Sequence, residues 1–131
     1  MANKIKSLFN PLVKWLLVSP AHGLLSKKMM LISVKGRKTG KTYTTPVEYG
    51  QKKDGCIEVV TSIDHEWWKN LRGGGEVKMC IKGKEIAGVA HVSQERAAIA
   101  DALRTVYPKI TSEQVEILSP GRIAVKIQEK S

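Results

Sequence analysis

The stretch that decides the fold covers residues 34–49 and reads VKGRKTGKTYTTPVEY. Gly36 and Gly40 enclose three residues, whereas a phosphate-binding P-loop needs four between its glycines and a helix directly after them. The residues that follow Lys41 are mostly β-branched or aromatic, and such a segment favours a strand. We therefore interpret the stretch as two strands joined by a basic turn that glycines bracket, and not as a P-loop.

The charge balance predicts an anionic partner. The chain has 131 residues, which is the length of one domain, and we expect a single domain over residues 1–131. It carries 22 Lys and Arg against 12 Asp and Glu, a formal net charge of +10. A phosphorylated cofactor, nucleic acid and an acidic membrane face all suit this charge, so composition alone does not choose between them.

The N-terminal region predicts an amphipathic helix over about residues 3–18. Leu8, Leu12, Trp15 and Leu16 recur at helical spacing, and lysines stand elsewhere around the helix. We expect this helix to pack on the wall of the domain, and peripheral contact with an anionic bilayer is the alternative. The run has no clean apolar core followed by a cleavage site, so we do not expect a signal peptide.

The two cysteines indicate a cytoplasmic protein. Cys56 and Cys80 lack metal-ligand spacing and stand in apolar stretches, which predicts reduced thiols in the core. A disulfide between neighbouring strands is the less favoured option.

The pattern along the chain predicts a mainly β domain with flanking helices. Asp64 is expected to cap a short helix, and a second helix is expected to follow Ser93 and end before Pro108. Six antiparallel strands linked mostly by tight turns favour a small closed barrel, with an open α+β sheet as the alternative. The predicted strands cover residues 29–35, 42–49, 56–62, 77–81, 85–92 and 123–127.

Three motifs together resemble the deazaflavin-dependent nitroreductase family. They are GRKTGKTYTTPVEY at residues 36–49, TS at residues 61–62 and WWKNLRGGGEVKMCIKGK at residues 67–84. The resemblance implies a six-stranded antiparallel split β-barrel of the flavin-reductase and pyridoxamine-phosphate-oxidase type. It also implies an oxidoreductase that passes a hydride from reduced 8-hydroxy-5-deazaflavin, coenzyme F-420, to a quinone, a nitroaromatic or an activated enone.

The chemistry of the basic turn agrees with such a cofactor, which carries a phosphate and a polyglutamate tail. Glycines let the backbone approach a phosphate, Arg37 can bind it through a bidentate fork, and Lys38 adds a point charge. Lys41, with Lys35, extends the positive rim toward the tail. The resemblance places the ring beside Pro46, Val47, Ser62 and Trp67. The full set of expected cofactor-binding residues is Arg37, Lys38, Thr39, Gly40, Lys41, Pro46, Val47, Ser62, Trp67 and Asn70.

The sequence assigns no certain catalytic residue, and it offers two candidates for contact with the electron acceptor. The resemblance places Tyr107 on the substrate side, and His65 is a candidate proton donor. The sequence departs from the family pattern in the short loop before Trp67, where Ile63 replaces a lysine. Because that loop flanks the cofactor, FMN is the alternative cofactor.

Other reaction classes find little support. The chain has no paired carboxylates, no Ser-His-Asp arrangement and no metal-ligand spacing, so the cofactor would supply the reaction. A non-enzymatic basic barrel that binds nucleic acid or another polyanion is a second hypothesis. Aromatic residues are only 5% of the chain, and nucleic-acid barrels usually need several for base stacking, so we expect no nucleic-acid partner. Split barrels of the flavin-reductase type often dimerise, so a homodimer is an open alternative.

Overall fold

The computed structural model describes residues 28–130, and the expected N-terminal helix over residues 3–18 lies outside them. Seven strands form one antiparallel sheet. In chain order they are β1 (Met29–Lys35), β2 (Thr42–Glu48), β3 (Gly50–Gln51), β4 (Ile57–Ser62), β5 (Gly75–Ile81), β6 (Lys84–Ser93) and β7 (Arg122–Glu129).

The order of strands in the sheet is β2-β1-β5-β6-β7-β4-β3. All pairs are antiparallel, and β1 lies between β2 and β5 with Leu31 opposite both Pro46 and Cys80. The sheet curls, so that β2 at one end comes close to β4 near the other. The architecture is a split barrel that is mainly β, as predicted from the sequence.

One face of the sheet forms the inside of the barrel. Alternate residues of each strand point inward, so Ile32 and Val34 of β1 meet Val59 of β4 and Ile123 of β7 in a buried cluster. Trp68 closes this cluster and is only 1% exposed. The short helix before β5 therefore contributes to the core as well as to the surface.

The other face of β4 and β7 is covered by two helices, α1 (Arg96–Val106) and α2 (Ser112–Leu118). Leu103 of α1 and Leu118 of α2 pack against Ala124 of β7 in a second buried cluster. Helix α2 starts with a capping box, in which Thr111 and Gln114 exchange side-chain to backbone hydrogen bonds.

A buried carboxylate lies between the sheet and α1. Glu58 has no exposed surface, and neither carboxylate oxygen has a well-aligned hydrogen bond within the described residues. Its nearest cation is Lys52, with Nζ 3.4 Å from Oε2, and Lys52 also pairs with Asp101 of α1. Burial, followed by the nearby Asp101, raises the pKa of Glu58.

Several sequence-based expectations need correction. The sheet has seven strands and not six, because residues 50–51 form a separate strand opposite Ile57 and Glu58. Helix α2 was not predicted. Asp64 does not cap the short helix, a 3₁₀ helix over Trp67–Leu71 that begins after Glu66 without a side-chain cap.

The cysteines also differ from expectation. Both are free thiols, as predicted, but only Cys56 is in the core, since the side chain of Cys80 points to the outer face of β5 and is exposed. Within residues 28–130 no helix has the length and apolar character needed to cross a membrane.

Candidate functional site

The basic turn between β1 and β2 is held in one shape by its own backbone. The Gly36 N–H donates to Lys41 O at 2.7 Å, and the Gly40 N–H donates to Gly36 O at 2.9 Å. Gly40 has φ of 72°, a left-handed conformation that other residues adopt at a cost. Thr39 Oγ1 accepts from the Lys41 N–H at 3.2 Å. The turn is therefore a defined loop that exposes the side chains of residues 37–41.

Two hydrogen bonds tie this turn to the 3₁₀ helix, 33 residues later in the chain. The Arg37 N–H donates to Asn70 Oδ1 at 3.2 Å, and Arg37 Nε donates to Asn70 O at 3.0 Å. Asn70 Nδ2 in turn donates to Trp67 O at 3.3 Å. The structure thus brings Arg37, Asn70 and Trp67, all expected site residues, to one place.

Further cations gather around the turn. The side chain of Lys35 runs along it, since a Cβ at Gly40 would lie 3.9 Å from Lys35 Cε. A Cβ at Gly73 would lie 3.8 Å from Arg37 Nη2, so the glycines after the 3₁₀ helix leave space beside the guanidinium. Glu66 accepts a charge-assisted hydrogen bond from Lys69, and that contact, with a smaller contribution from Lys38, lowers the pKa of Glu66. The turn and the start of the helix are therefore electrostatic neighbours.

The two adjacent tryptophans have different environments. Trp68 is buried beneath Arg72, whose guanidinium carbon is 5.1 Å from the ring centre. Trp67 is only half-buried and packs on the edge of the inner core. Core packing is thus the role of Trp68, as expected, while Trp67 keeps part of its ring accessible beside the basic turn.

Pro46 and Val47 lie on β2, a strand at the edge of the sheet. They face Leu31 and Met30 of β1 respectively, and both are half-buried. The other side of β2 has no strand partner within residues 28–130. Proline suits such an edge, because it has no N–H to leave unpaired. This edge and the nearby β4 border the split in the barrel.

Ser62 and His65 shape the short loop after β4. Ser62 is buried, and its hydroxyl accepts from the Asp64 N–H at 3.3 Å. His65 Nδ1 is 2.8 Å from Thr61 Oγ1. Burial, and then the charge of Arg122, lowers the pKa of His65, so the imidazole is neutral at pH 7.

Tyr107, at the end of α1, points toward β2. It is only 1% exposed, and its hydroxyl donates to Glu48 Oε1 at 3.4 Å. Burial, and then the charge of Glu48, raises the pKa of Tyr107, so the phenol keeps its proton. Tyr107 therefore links α1 to the end of the β2 edge.

The structure connects some of the expected site residues through hydrogen bonds and leaves others apart. The basic turn, Asn70 and Trp67 form one connected unit. No hydrogen bond among the described residues joins Pro46 or Ser62 to that unit. Sequence reasoning missed Arg72, which directly follows the 3₁₀ helix and lies over the Trp68 ring. It also missed Glu48, whose partner Tyr107 is 59 residues away.

A curled antiparallel sheet with a cationic turn next to its edge strand defines a split-barrel protein. Residues 18–129 of the sequence match the protein family described as F420H(2)-dependent quinone reductase. The chain belongs to this family. No curated protein matches its sequence significantly.

Solved structures share the fold at low sequence identity. A conserved hypothetical protein of Mycobacterium tuberculosis is 20% identical, with a TM-score of 0.63 over 87% of this chain and 82% of that one. A protein described as an F420 reductase is 10% identical, with a TM-score of 0.58 over 86% and 95% of the two chains. A general stress FMN/FAD binding protein from Xanthomonas citri is 16% identical, with a TM-score of 0.56 over 82% and 80%.

Family membership confirms the main predictions from sequence. The resemblance to deazaflavin-dependent reductases, the enzyme class and coenzyme F-420 as cofactor all agree with the description of the family. The split-barrel neighbours confirm the fold class.

Proposed function

We propose that this reductase transfers a hydride from reduced F-420 to a quinone, a nitroaromatic or an activated enone at the split edge of the barrel. The observation that carries this proposal is the pair of hydrogen bonds from Arg37 to Asn70, which places the cationic turn beside the half-exposed Trp67. A phosphate subsite and an aromatic wall are thereby held at a fixed separation.

The donor set at the turn fits the anionic part of the coenzyme. Arg37 uses its Nε and backbone N–H for Asn70, which leaves the Nη atoms for a phosphate. Within the described residues, the backbone N–H groups of Lys38 and Thr39 have no acceptor. Exposed N–H groups and ammonium groups in one turn are the chemistry that binds a phosphate. Lys35 and Lys41 extend the positive surface for the carboxylates of the tail.

Asn70 has a positioning role in this proposal. Its side-chain oxygen and nitrogen both bond within the protein, to Arg37 and Trp67. Asn70 therefore orients the turn that would bind the phosphate, and need not contact the cofactor itself.

The ring subsite would be formed by Trp67, by Pro46 and Val47 on the edge strand, and by Ser62 at the end of β4. Bound F-420 in its reduced form supplies the hydride, and the protein supplies orientation and a dry pocket. Tyr107 is less suited to contact the acceptor, because it is buried and its hydroxyl already donates to Glu48 Oε1. His65 is less suited as an acid, because its lowered pKa leaves the imidazolium scarce at pH 7.

FMN is the second cofactor to test, because a neighbour with the same fold is described as FMN/FAD-binding. FMN also carries a phosphate, so the basic turn would serve both cofactors. We further propose a cytoplasmic protein that works on small molecules, as monomer or homodimer, with the N-terminal segment as the region that would contact a membrane.

The test is anaerobic turnover. Purified protein is mixed with reduced F-420 and a soluble quinone, a nitroaromatic or an enone, and the return of the oxidised deazaflavin band is followed. Oxidation that depends on both enzyme and acceptor is the expected result. Loss of activity in Arg37→Ala/Lys38→Ala, with retention in the charge-matched Lys53→Ala/Arg104→Ala, would support the turn as the phosphate site.

Two outcomes would count against the proposal. If reduced F-420 is not oxidised with any of the three acceptor classes, the proposed reaction is wrong. If both double variants lose activity equally, the loss follows overall charge and the turn has no special role.

A further inference from the structure

A pocket opens on the helix-covered face of the sheet, away from the basic turn. It encloses about 370 Å³, within the range of small-molecule sites. The start of α1, the end of α2 and the loop after β4 form its walls. Its main lining side chains are Ile63, Gln94, Arg96, Ile99, Ser119 and Arg122.

Arg122 places a positive charge in this pocket, and no carboxylate of the described residues lies within salt-bridge distance of it. Its side chain is half-buried, and Nε donates to Leu118 O at 3.2 Å, which leaves four N–H donors. It forms no ion pair with a carboxylate of residues 28–130. Burial of the guanidinium lowers the pKa of Arg122, while the nearby Tyr107 and then Asp64 act in the opposite direction. A charge taken out of water without a partner is costly, and a bound anion would offset that cost.

The other charge in the pocket is already neutralised. Arg96 Nη2 is 2.8 Å from Glu116 Oε2, so this arginine has its own carboxylate on α2. Ser119 Oγ donates to Val115 O, which occupies its hydroxyl hydrogen. The pocket thus presents one uncompensated positive charge, which suits a ligand with one negative charge.

The rest of the lining is apolar or amide. Ile63 is 42% exposed at the mouth, and Ile99 is buried at the wall. The Gln94 side chain makes no hydrogen bond within the described residues and can donate to an oxygen. An apolar body beside a single anionic group matches these surfaces.

We propose that this pocket binds a small organic carboxylate, whose carboxylate pairs with Arg122 and whose apolar body packs between Ile63 and Ile99. The guanidinium fork binds a planar carboxylate in a bidentate geometry. The site is separate from the basic turn, because no residue of that turn lines it, although Ser62 of the proposed ring subsite is the strand partner of Arg122.

The test compares benzoate with benzamide, a neutral molecule of the same shape, by isothermal titration calorimetry on the full chain. Wild-type protein should bind benzoate and not benzamide. Arg122→Gln should weaken benzoate binding at least tenfold, and Arg122→Lys, which keeps the charge without the fork, should bind with intermediate affinity. Ile63→Trp should block the mouth without altering Arg122, and so tests the site even if an Arg122 variant fails to fold.

The double variant Arg37→Ala/Lys38→Ala separates this site from the cofactor site and should bind benzoate like wild type. The proposal is overturned by any of three results. These are equal binding of benzoate and benzamide, no binding of benzoate, or benzoate binding that the Arg37 and Lys38 changes abolish and the Arg122 and Ile63 changes do not.

Discussion

Replacing Asn70 by alanine tests whether the basic turn is positioned by the 3₁₀ helix. The substitution removes the acceptor of the Arg37 N–H, at 3.2 Å, and the donor to Trp67 O, at 3.3 Å. The Arg37 Nε bond to the Asn70 carbonyl is kept, because it involves only backbone atoms of residue 70. Each lost bond is long and part-exposed, so about 0.5–1 kcal/mol apiece is expected, or about 1–2 kcal/mol in total.

The same free energy should appear in cofactor binding. If the turn is loosened, the cofactor must restore its geometry on binding, and the cost is subtracted from the affinity. A loss of about 1–2 kcal/mol raises the Kd for reduced F-420 about 5- to 30-fold. The assay is an anaerobic fluorescence or calorimetric titration of wild type and Asn70→Ala, with urea unfolding measured on the same samples.

Gln114→Ala is the matched control. It removes the capping-box bond from the Thr111 N–H, 2.9 Å long, in helix α2, and costs about 1 kcal/mol of stability at a place remote in sequence from the turn. It should leave the Kd unchanged. If Asn70→Ala is destabilised but binds F-420 with the wild-type Kd, Asn70 does not position the phosphate site.

Three further predictions concern the stability of the fold. Because the pKa of Glu58 is raised in the folded protein, ionisation of Glu58 lowers the stability as pH rises above the ordinary value of 4.5. In urea unfolding, Glu58→Gln should therefore be more stable than wild type at pH 8, by about 1 kcal/mol or more, and of similar stability near pH 4. Gly36→Ala should lower the free energy of unfolding by about 1–3 kcal/mol, because the added Cβ would lie 2.6 Å from the Tyr43 ring. In thermal unfolding, adding Tyr43→Ala to this variant should recover much of the lost stability. If it recovers none, the backbone and not the ring is the cause. Because the pKa of His65 is lowered in the folded protein, its contribution to stability is complete above pH 6.5 and is lost as pH falls through the lower folded pKa. The NMR titration midpoint of His65 should therefore lie below 6.5. The variant His65→Gln should lose less stability in acid than wild type.

Much of the sheet could be predicted because its signals are local. The short apolar run of β1, the alternation of apolar and polar residues in β7, and the turn residues between strands indicate strand positions without reference to the rest of the chain. The two-residue β3 was missed because no periodicity exists over so short a length. Helix α2 was missed although its capping residues, Thr111 and Gln114, stand at the right spacing.

The site was only partly predictable, for a different reason. The motif types indicated that Arg37 and Trp67 belong to one site, but the hydrogen bonds that join them run between segments 33 residues apart. The exposed position of Cys80 was predictable from the sequence, because Val77 and Met79 alternate with Lys78. Residues two apart on a strand share a face, so Cys80 lies with Lys78 on the outer face. The uncompensated charge of Arg122 depends on which carboxylates lie within reach, and only the folded chain shows that.

The central claim is that the glycine-bracketed turn binds the phosphate of a redox coenzyme, and titration of the protein with reduced F-420 and with FMN tests it most directly. Wild type and Lys53→Ala/Arg104→Ala should bind the deazaflavin, while Arg37→Ala/Lys38→Ala should bind at least tenfold more weakly, with the difference shrinking at high salt. If the wild-type protein binds neither coenzyme, or if removing Arg37 and Lys38 leaves the affinity unchanged, the claim is contradicted.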